Sequence, residues 1–418
     1  MHWIPTTVPT EAMDLPSPLI RPRPRILYLV PAWPHEKSFG QQLRVLHVGR
    51  ALQDIGHVKL AVFSNTEDAE AMERTADEFD IHCSPRMNHR VDRRPGRRLK
   101  WWLDPRFQDS SGFFIEERDR VRLCRSLENF DLVWLNCVRV ANMLGLWRWP
   151  RSMMDIDDLP STYQLQEWRH GDRLIDKLKA GARLLAFRRR EKLLAERFTL
   201  LGVCSEEDRR LMGGGSHIHV IPNGFERPEE EPRPQPANPP RLGFIGVFTH
   251  PPNLEGIRWF MKYCWPRIKR EIPNVRLRLV GRSSDGPLKP DDPDVDGLGF
   301  VADPSAEIAT WSAMIVPLRL GSGTRLKVAE ALSRKCPLIS TRFGALGYSV
   351  ADGKEAFLAD APEAFANACI RVIREPSQAA AMADRAWCRY LYSWTWDAIA
   401  PRVWSAAEHC LRLQCISR

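Results

Sequence analysis

No apolar run in this chain of 418 residues approaches the length needed to cross a bilayer, roughly 18 to 20 residues. No membrane span is therefore expected. The ten cysteines stand singly, several inside apolar runs such as "LGVCS", and none forms a C-x-x-C pair. That distribution argues against a disulfide framework or a zinc site and for buried thiols in a reducing cytosol. The N-terminal stretch lacks the continuous apolar core of a secretory signal, and with six prolines residues 1–24 read as a disordered tail. No short-period repeat is present, which sets solenoids aside. No recognisable nucleic-acid-binding module appears either, although the net charge of +9 points to an anionic partner.

What is present is core material. An apolar fraction of 44%, with 15 Trp and 17 Phe, can bury substantial interiors, and the length suits two domains of roughly 150 to 200 residues each. "RILYLV" from Arg25 is a short β-rich run, followed by a Pro and Gly loop and then apolar residues at helical spacing. Strands "VKLAVFS", "DLVWLN", "SMMDID", "FTLLGVC" and "HIHVIP" alternate with helical segments, among them one near Asp68 to Glu78 and a long basic one near Arg173 to Phe198. "RPEEEPRPQPANPP", residues 227–240, interrupts the pattern with six prolines and reads as a stiff linker. Beyond it the alternation restarts with "RLGFIGVF". Two α/β halves are predicted, 25–226 and 241–392, each with a parallel sheet. Ligands of such sheets bind beyond the carboxyl ends of the strands, so two facing sheets form one cleft.

The segment "GSGTRLKVAEAL" from Gly321 carries the chemistry. Gly321 and Gly323 permit positive φ and close approach of a ligand to backbone amides. A helix is expected to begin near Thr324, and its free N–H groups and dipole would attract phosphate oxygens beside Arg325 and Lys327. Glu330 is placed to accept hydrogen bonds from the two hydroxyls of a ribose. The plainer alternative is a turn followed by a surface Lys327–Glu330 pair.

"VIPNGFE", "FIGVFTHPPNLEGIRWF", "LRLVG" and "GLGFVADPSAEIATWSAMIVPLRLGSGTRLKVAEALSRKCPLISTRFGALGY", in this order, resemble the family-4-type retaining glycosyltransferases of the GT-B fold. The resemblance implies an α/β GT-B architecture, two Rossmann-like domains facing each other across a cleft, with residues 393–418 a helix crossing back to the first domain. It implies a nucleotide-sugar as substrate, with no cofactor and no metal. Arg325, Lys327 and Glu330 would carry catalysis and hold the donor together with Gly40, Gly246, Gly321, Ser322, Gly323 and Thr324. Gln41, Arg44, Arg139, Asp157, Asp158, Asn223 and His250 are the acceptor or cleft candidates. Ser322 stands where many relatives have a glutamate, and Arg139 lies near where relatives often have a histidine. His250 and Asn253 replace a basic pair, which shifts the cation role toward Arg325 and Lys327.

Three further features invite other readings. Asp155, Asp157 and Asp158 are spaced closely enough to bind Mg²⁺ or Mn²⁺, yet with Arg325 and Lys327 meeting the phosphate charge, Asp157 and Asp158 are expected to cap the next helix or line the cleft. His217 and His219 would share one sheet face as a solvated or packed pair. The basic helix after Arg173 reads first as leucine core packing with a solvated face, and second as a surface for anionic lipid, as does the arginine-rich stretch ending at Trp101 and Trp102. A cytoplasmic sugar transferase follows, with peripheral contact at the inner face of a membrane, a glycan, lipid-linked or small-molecule acceptor, and no nucleic-acid partner. A nucleotide-sugar epimerase or hydrolase of the same fold, or a non-catalytic basic binding protein, are the alternatives.

Overall fold

The computed structural model describes residues 22–35, 40–65, 68–90, 95–171, 173–321 and 323–416; most of the expected N-terminal tail, and Ser322, lie outside the described residues. Short apolar runs become strands β1 (Arg25–Val30), β2 (His57–Val62), β3 (Asp80–Cys83), β4 (Asn88–His89), β5 (Phe113–Phe114), β6 (Leu132–Asn136), β7 (Trp149–Ile156), β8 (Phe198–Val203) and β9 (Ile218–Val220). Seven of them form a parallel sheet in the order β3-β2-β1-β6-β7-β8-β9, with β4 and β5 pairing separately and antiparallel. The second half contributes β10 (Arg241–Ile245), β11 (Arg276–Val280), β12 (Val295–Gly297), β13 (Ala313–Val316), β14 (Leu338–Ser340) and β15 (Phe357–Leu358), in the order β12-β11-β10-β13-β14-β15.

Alternation along β1 shows why a run that is apolar at every position is required. Ile26, Tyr28 and Val30 enter one core layer and Leu27 and Leu29 the other, because successive side chains leave opposite faces and both faces are covered. In each sheet the strand order reverses beside the first strand, between β1 and β6 and between β10 and β13. Loops leaving the strands there diverge and open a crevice.

The chain crosses between the halves twice, side by side. Phe225 donates its backbone N–H to Trp394 O at 2.9 Å and pairs with Thr395 as a parallel bridge. Trp394 is buried in the second core and Trp396, two residues later, in the first. The terminal helix Trp396–Ile416 then lays Ile399, Val403, Ala406, Ala407 and Cys410 onto the first sheet, a spacing of three and four that keeps one face inward. The proline-rich segment 227–240 is pinned to the second half through Gln235 N to Ala309 O (2.7 Å) and Ala237 N to Thr310 O (2.9 Å).

Three local expectations need correction. The long basic helix is two pieces, Leu174–Lys192 and Leu194–Arg197, and strand β8 begins at Phe198 itself. Its Leu174, Leu178 and Leu185 are exposed, while Ala180, Leu184 and Ala186 are buried, so most of the leucines face away from the core. His217 lies outside β9, and His219 instead meets His409 of the terminal helix (Nε2 to Nδ1, 2.9 Å).

Candidate active site

The rim of the second domain is built by residues that follow β10 and β13. After β13 the chain turns through Gly321 (φ +129°) and Gly323 (φ +66°), a region that side chains rarely tolerate. A Cβ on Gly323 would lie 2.0 Å from Asp158 Oδ1 of the first domain, so this turn is also where the domains touch. The helix begins at Leu326 with Arg325 as its N-cap, two residues later than the spacing suggests.

That shift separates the two cations. Arg325 is buried, packs over the Phe343 ring at 4.5 Å and donates to Gly323 O. Burial lowers its pKa to about 10, opposed by Asp158 and Asp208 of the first domain, so it stays charged at neutral pH and faces the interdomain contact as well as the pocket. Lys327 is half-buried, donates to Asn253 Oδ1 at 2.6 Å and sits 4.1 Å above the Phe244 ring. Desolvation, and then Arg325, pull its pKa down to about 7, with Glu330 opposing. Gly246 makes the approach possible: a Cβ there would lie 3.1 Å from Lys327 Nζ. Glu330 pairs with Arg334 at 3.4 Å, and its carboxyl is pushed up by burial, with Arg334 and Lys327 opposing. The two residues are thus not a solvated i,i+3 pair. Both line a cavity of about 400 Å³ together with Gly40, Gly246, His250, Gly321, Thr324 and Arg325. His250, held below the usual histidine range by burial and then by Lys327 and Arg325, is neutral at pH 7.

Across the cleft a larger cavity of about 750 Å³ adjoins it, sharing Gly40, Asp158, His250, Thr324 and Leu326. Gln41, Arg139, Asp157, Asp158, Asn223 and His250 of the sequence candidates line it. Arg139 lies over Phe113 at 4.9 Å. Asp157 Oδ1 accepts from Asn223 Nδ2 at 2.6 Å and from Cys204 Sγ at 3.2 Å; the helix that follows has Leu159 as N-cap with no side-chain cap, so neither Asp157 nor Asp158 caps it. Its second residue, Ser161, instead donates its N–H to Glu191 Oε1 at 2.9 Å.

Arg44 is not a cleft residue. It is fully buried, forked onto Asp155 (Nε to Oδ2, 2.9 Å; Nη2 to Oδ1, 2.5 Å) and donating to Asn223 Oδ1 at 2.9 Å. Burial opposes its charge, and Asp155 together with Cys204 and Asp157 more than offsets that, so its pKa stands above the ordinary arginine value. Asp155 is consumed by this pair and Asp157 by Asn223, so the three aspartates do not converge. Among the described residues no group of three His, Cys, Asp or Glu side chains is arranged to hold a metal ion. Residues that the sequence did not mark for the cleft complete the wide cavity: Phe107, Trp147, Phe187, Arg190 and Arg197, with Trp101, which the sequence suggested as a lipid-facing residue. Cys137, at φ +91° just after β6, is a strained non-glycine residue on its wall.

Two facing parallel α/β domains with a polar pocket on one rim and a wide cavity on the other define the GT-B fold. Residues 239–375 match the family model Glycosyl transferases group 1. Sucrose-phosphate synthase from Thermosynechococcus elongatus superposes with TM-score 0.65 at 16% identity, covering 94% of this chain and 100% of that one. HepE of Anabaena, in complex with UDP and glucose, superposes with TM-score 0.61 at 15% identity, covering 92% and 100%. A Klebsiella pneumoniae protein described as an uncharacterized 44.6 kDa protein in the cps region is 26% identical over 133 residues, 29% of this chain and 34% of that protein. The match therefore spans about a third of that relative. Residues 239–375 are similar to the group 1 glycosyltransferases, and the whole chain has the GT-B fold that the motifs around Gly321 imply.

Proposed function

We propose that this chain moves a sugar from a nucleotide-sugar to an acceptor, with the nucleotide diphosphate in the pocket of Lys327, Gly321 and Gly246 and the acceptor in the wide cavity. The observation that carries this reading is Lys327, an ammonium drawn into a polar pocket and held by Asn253 2.6 Å away instead of by a carboxylate. As the glycosidic bond to the diphosphate breaks, negative charge grows on the leaving group and an oxocarbenium-like sugar forms. A fixed cation and backbone amides aimed at that diphosphate stabilise the transition state more than the ground state. Glu330 takes the ribose hydroxyls, and Arg325 and Lys327 make a divalent metal unnecessary. Transfer proceeds with retention.

The HepE structure, which holds UDP and glucose in the same fold, supports the donor class, and the cps-region relative supports an acceptor in a surface polysaccharide pathway. A second cavity large enough for an acceptor favours transfer over epimerisation or hydrolysis. We further propose that the enzyme works at the inner face of a membrane. No helix among the described residues is long and apolar enough to span one. Leu174, Ile175, Leu178 and Leu185 nevertheless face solvent beside Lys179, Arg183, Arg188 and Arg189, a composition suited to an anionic bilayer surface.

The test is a thermal-shift screen against UDP-, GDP- and other nucleotide-sugars, repeated with Glu330→Gln and with EDTA. A shift that survives EDTA and is lost in the variant is expected; no shift with any nucleotide-sugar would sink the donor assignment. Product analysis by NMR, with and without acceptor, reads the reaction and the anomeric configuration.

A further inference from the structure

The wide cavity has a charge imbalance that the proposed chemistry does not use. Arg197 is 6% exposed and lines the cavity. Its guanidinium lies between the rings of Trp147 and Phe198, at 5.0 and 5.1 Å, and its Nη2 donates to Asn142 Oδ1 at 3.0 Å. Nε has no hydrogen-bond partner, and no carboxylate pairs with Arg197 among the described residues. The acids around the cavity are committed elsewhere: Asp109 to Arg97 (2.6 Å), Glu191 to Ser161 N (2.9 Å) and Asp157 to Asn223 (2.6 Å), while Asp158 lies against the Gly323 turn near Arg325. A buried guanidinium without a counter-charge is costly unless an anion completes it. Desolvation alone pulls its pKa down to about 10, which leaves it cationic at neutral pH.

A second guanidinium converges on the same indole. Arg106 stacks on Trp147 at 5.7 Å, and among the described residues its guanidinium is paired with the exposed Glu196 at 3.5 Å. Two guanidinia at one ring suit a doubly charged group better than a single carboxylate. The adjoining wall is aromatic: Trp101 packs edge-on against Phe187 at 5.3 Å, with Arg190 lying over Trp101 at 4.7 Å. On the helix that carries Trp101, its neighbour Trp102, and Leu99 and Leu103, are exposed.

We infer that this cavity binds the phosphate or diphosphate group of the acceptor, seated against Arg197 and Arg106 at Trp147, with the Trp101–Phe187 wall receiving an apolar group next to it. This rests on the reading of the chain as a sugar transferase, since it assigns the acceptor side of that reaction. The shared chemistry is a phosphate ester, carried either by a lipid or by a soluble sugar.

The test is isothermal titration of the full chain with farnesyl diphosphate, glucose 1-phosphate and inorganic pyrophosphate, each in the presence of excess UDP and GDP. Farnesyl diphosphate is expected to bind with nucleotide present, more tightly than pyrophosphate, and Arg197→Gln to weaken it at least about tenfold, the size of losing one charge-assisted contact. Arg106→Gln, on an exposed side chain, is expected to weaken it severalfold and serves if the Arg197 variant does not fold. Binding of glucose 1-phosphate with the same Arg197 or Arg106 dependence, in place of farnesyl diphosphate, assigns the soluble source. The inference is overturned if neither ester binds, if both variants that fold bind like the parent, or if nucleotide displaces the ester. Direct titration with UDP and GDP in the same series reads the donor pocket separately, so a failure of the donor assignment shows there and not in the ester arm.

Discussion

The two rims of the cleft are made in opposite ways. On the narrow rim, Gly321, Thr324, Arg325, Lys327 and Glu330 come from one segment of ten residues, and a second short segment, residues 245–253, brings Gly246, His250 and Asn253. On the wide rim, Trp101, Trp147, Phe187 and Arg197 come from separate elements, and each is placed by packing instead of by sequence neighbours. A phosphate site requires a turn and a helix start, which are local; an acceptor site requires a wall, which is not.

Breaking the foundation of the wide rim is expected to have the largest effect. Asp155→Asn or Arg44→Met leaves one member of a fully buried ion pair uncompensated, at about 3 to 5 kcal/mol of stability. Chemical denaturation reads the loss; a midpoint unchanged from the parent would show that the pair contributes nothing there. On the narrow rim, Lys327→Met is expected to slow transfer by roughly a hundredfold or more with little loss of stability, as measured by kcat with a saturating nucleotide-sugar. Equal damage to folding and activity by both variants would erase the distinction between foundation and site.

A finer test uses protons. The pKa of Lys327 is lowered to about 7 by burial, so above that pH the free protein holds this amine neutral while the unfolded chain keeps it charged. Its contribution to stability therefore rises as pH increases from about 7 toward the unfolded value of about 10.4. A bound diphosphate favours the ammonium, so binding near pH 8 takes up protons. Calorimetry in buffers of different ionisation enthalpy is expected to detect that uptake in the parent and not in Lys327→Met. Uptake that persists in the variant would assign the proton elsewhere. The smallest effect is at the surface: Leu174→Ser with Leu178→Ser is expected to reduce binding to vesicles containing phosphatidylglycerol, with folding unchanged. Sedimentation that is the same for parent and variant would remove the membrane from the account.

Legibility followed the same division. The narrow rim was readable because glycines, cations and an acid at fixed offsets are a local instruction, and β1 and β6 were readable because buried parallel strands are runs of apolar residues. Arg44 misleads because it stands four residues after Gly40, close to the expected donor loop, and nothing in the string reveals that Asp155, 111 residues away, closes over it. Leu174, Leu178 and Leu185 mislead in the other direction, since helical spacing of leucines shows that a face exists without showing what covers it. Arg197 is one arginine in a basic helix until folding places Trp147 and Phe198 on either side.

The terminal helix has a consequence for what counts as a separable part. Residues 25–226 leave Ile399, Val403 and Cys410 to shield one side of their sheet, and those residues are reachable only after the whole second domain has been traversed. The first half is therefore expected to lose stability when excised: truncation before Trp396 strips an apolar layer from a piece of the chain that ends at residue 226, 170 residues upstream, and nascent chains emerge with that layer uncovered until Ile399 to Cys410 have been made.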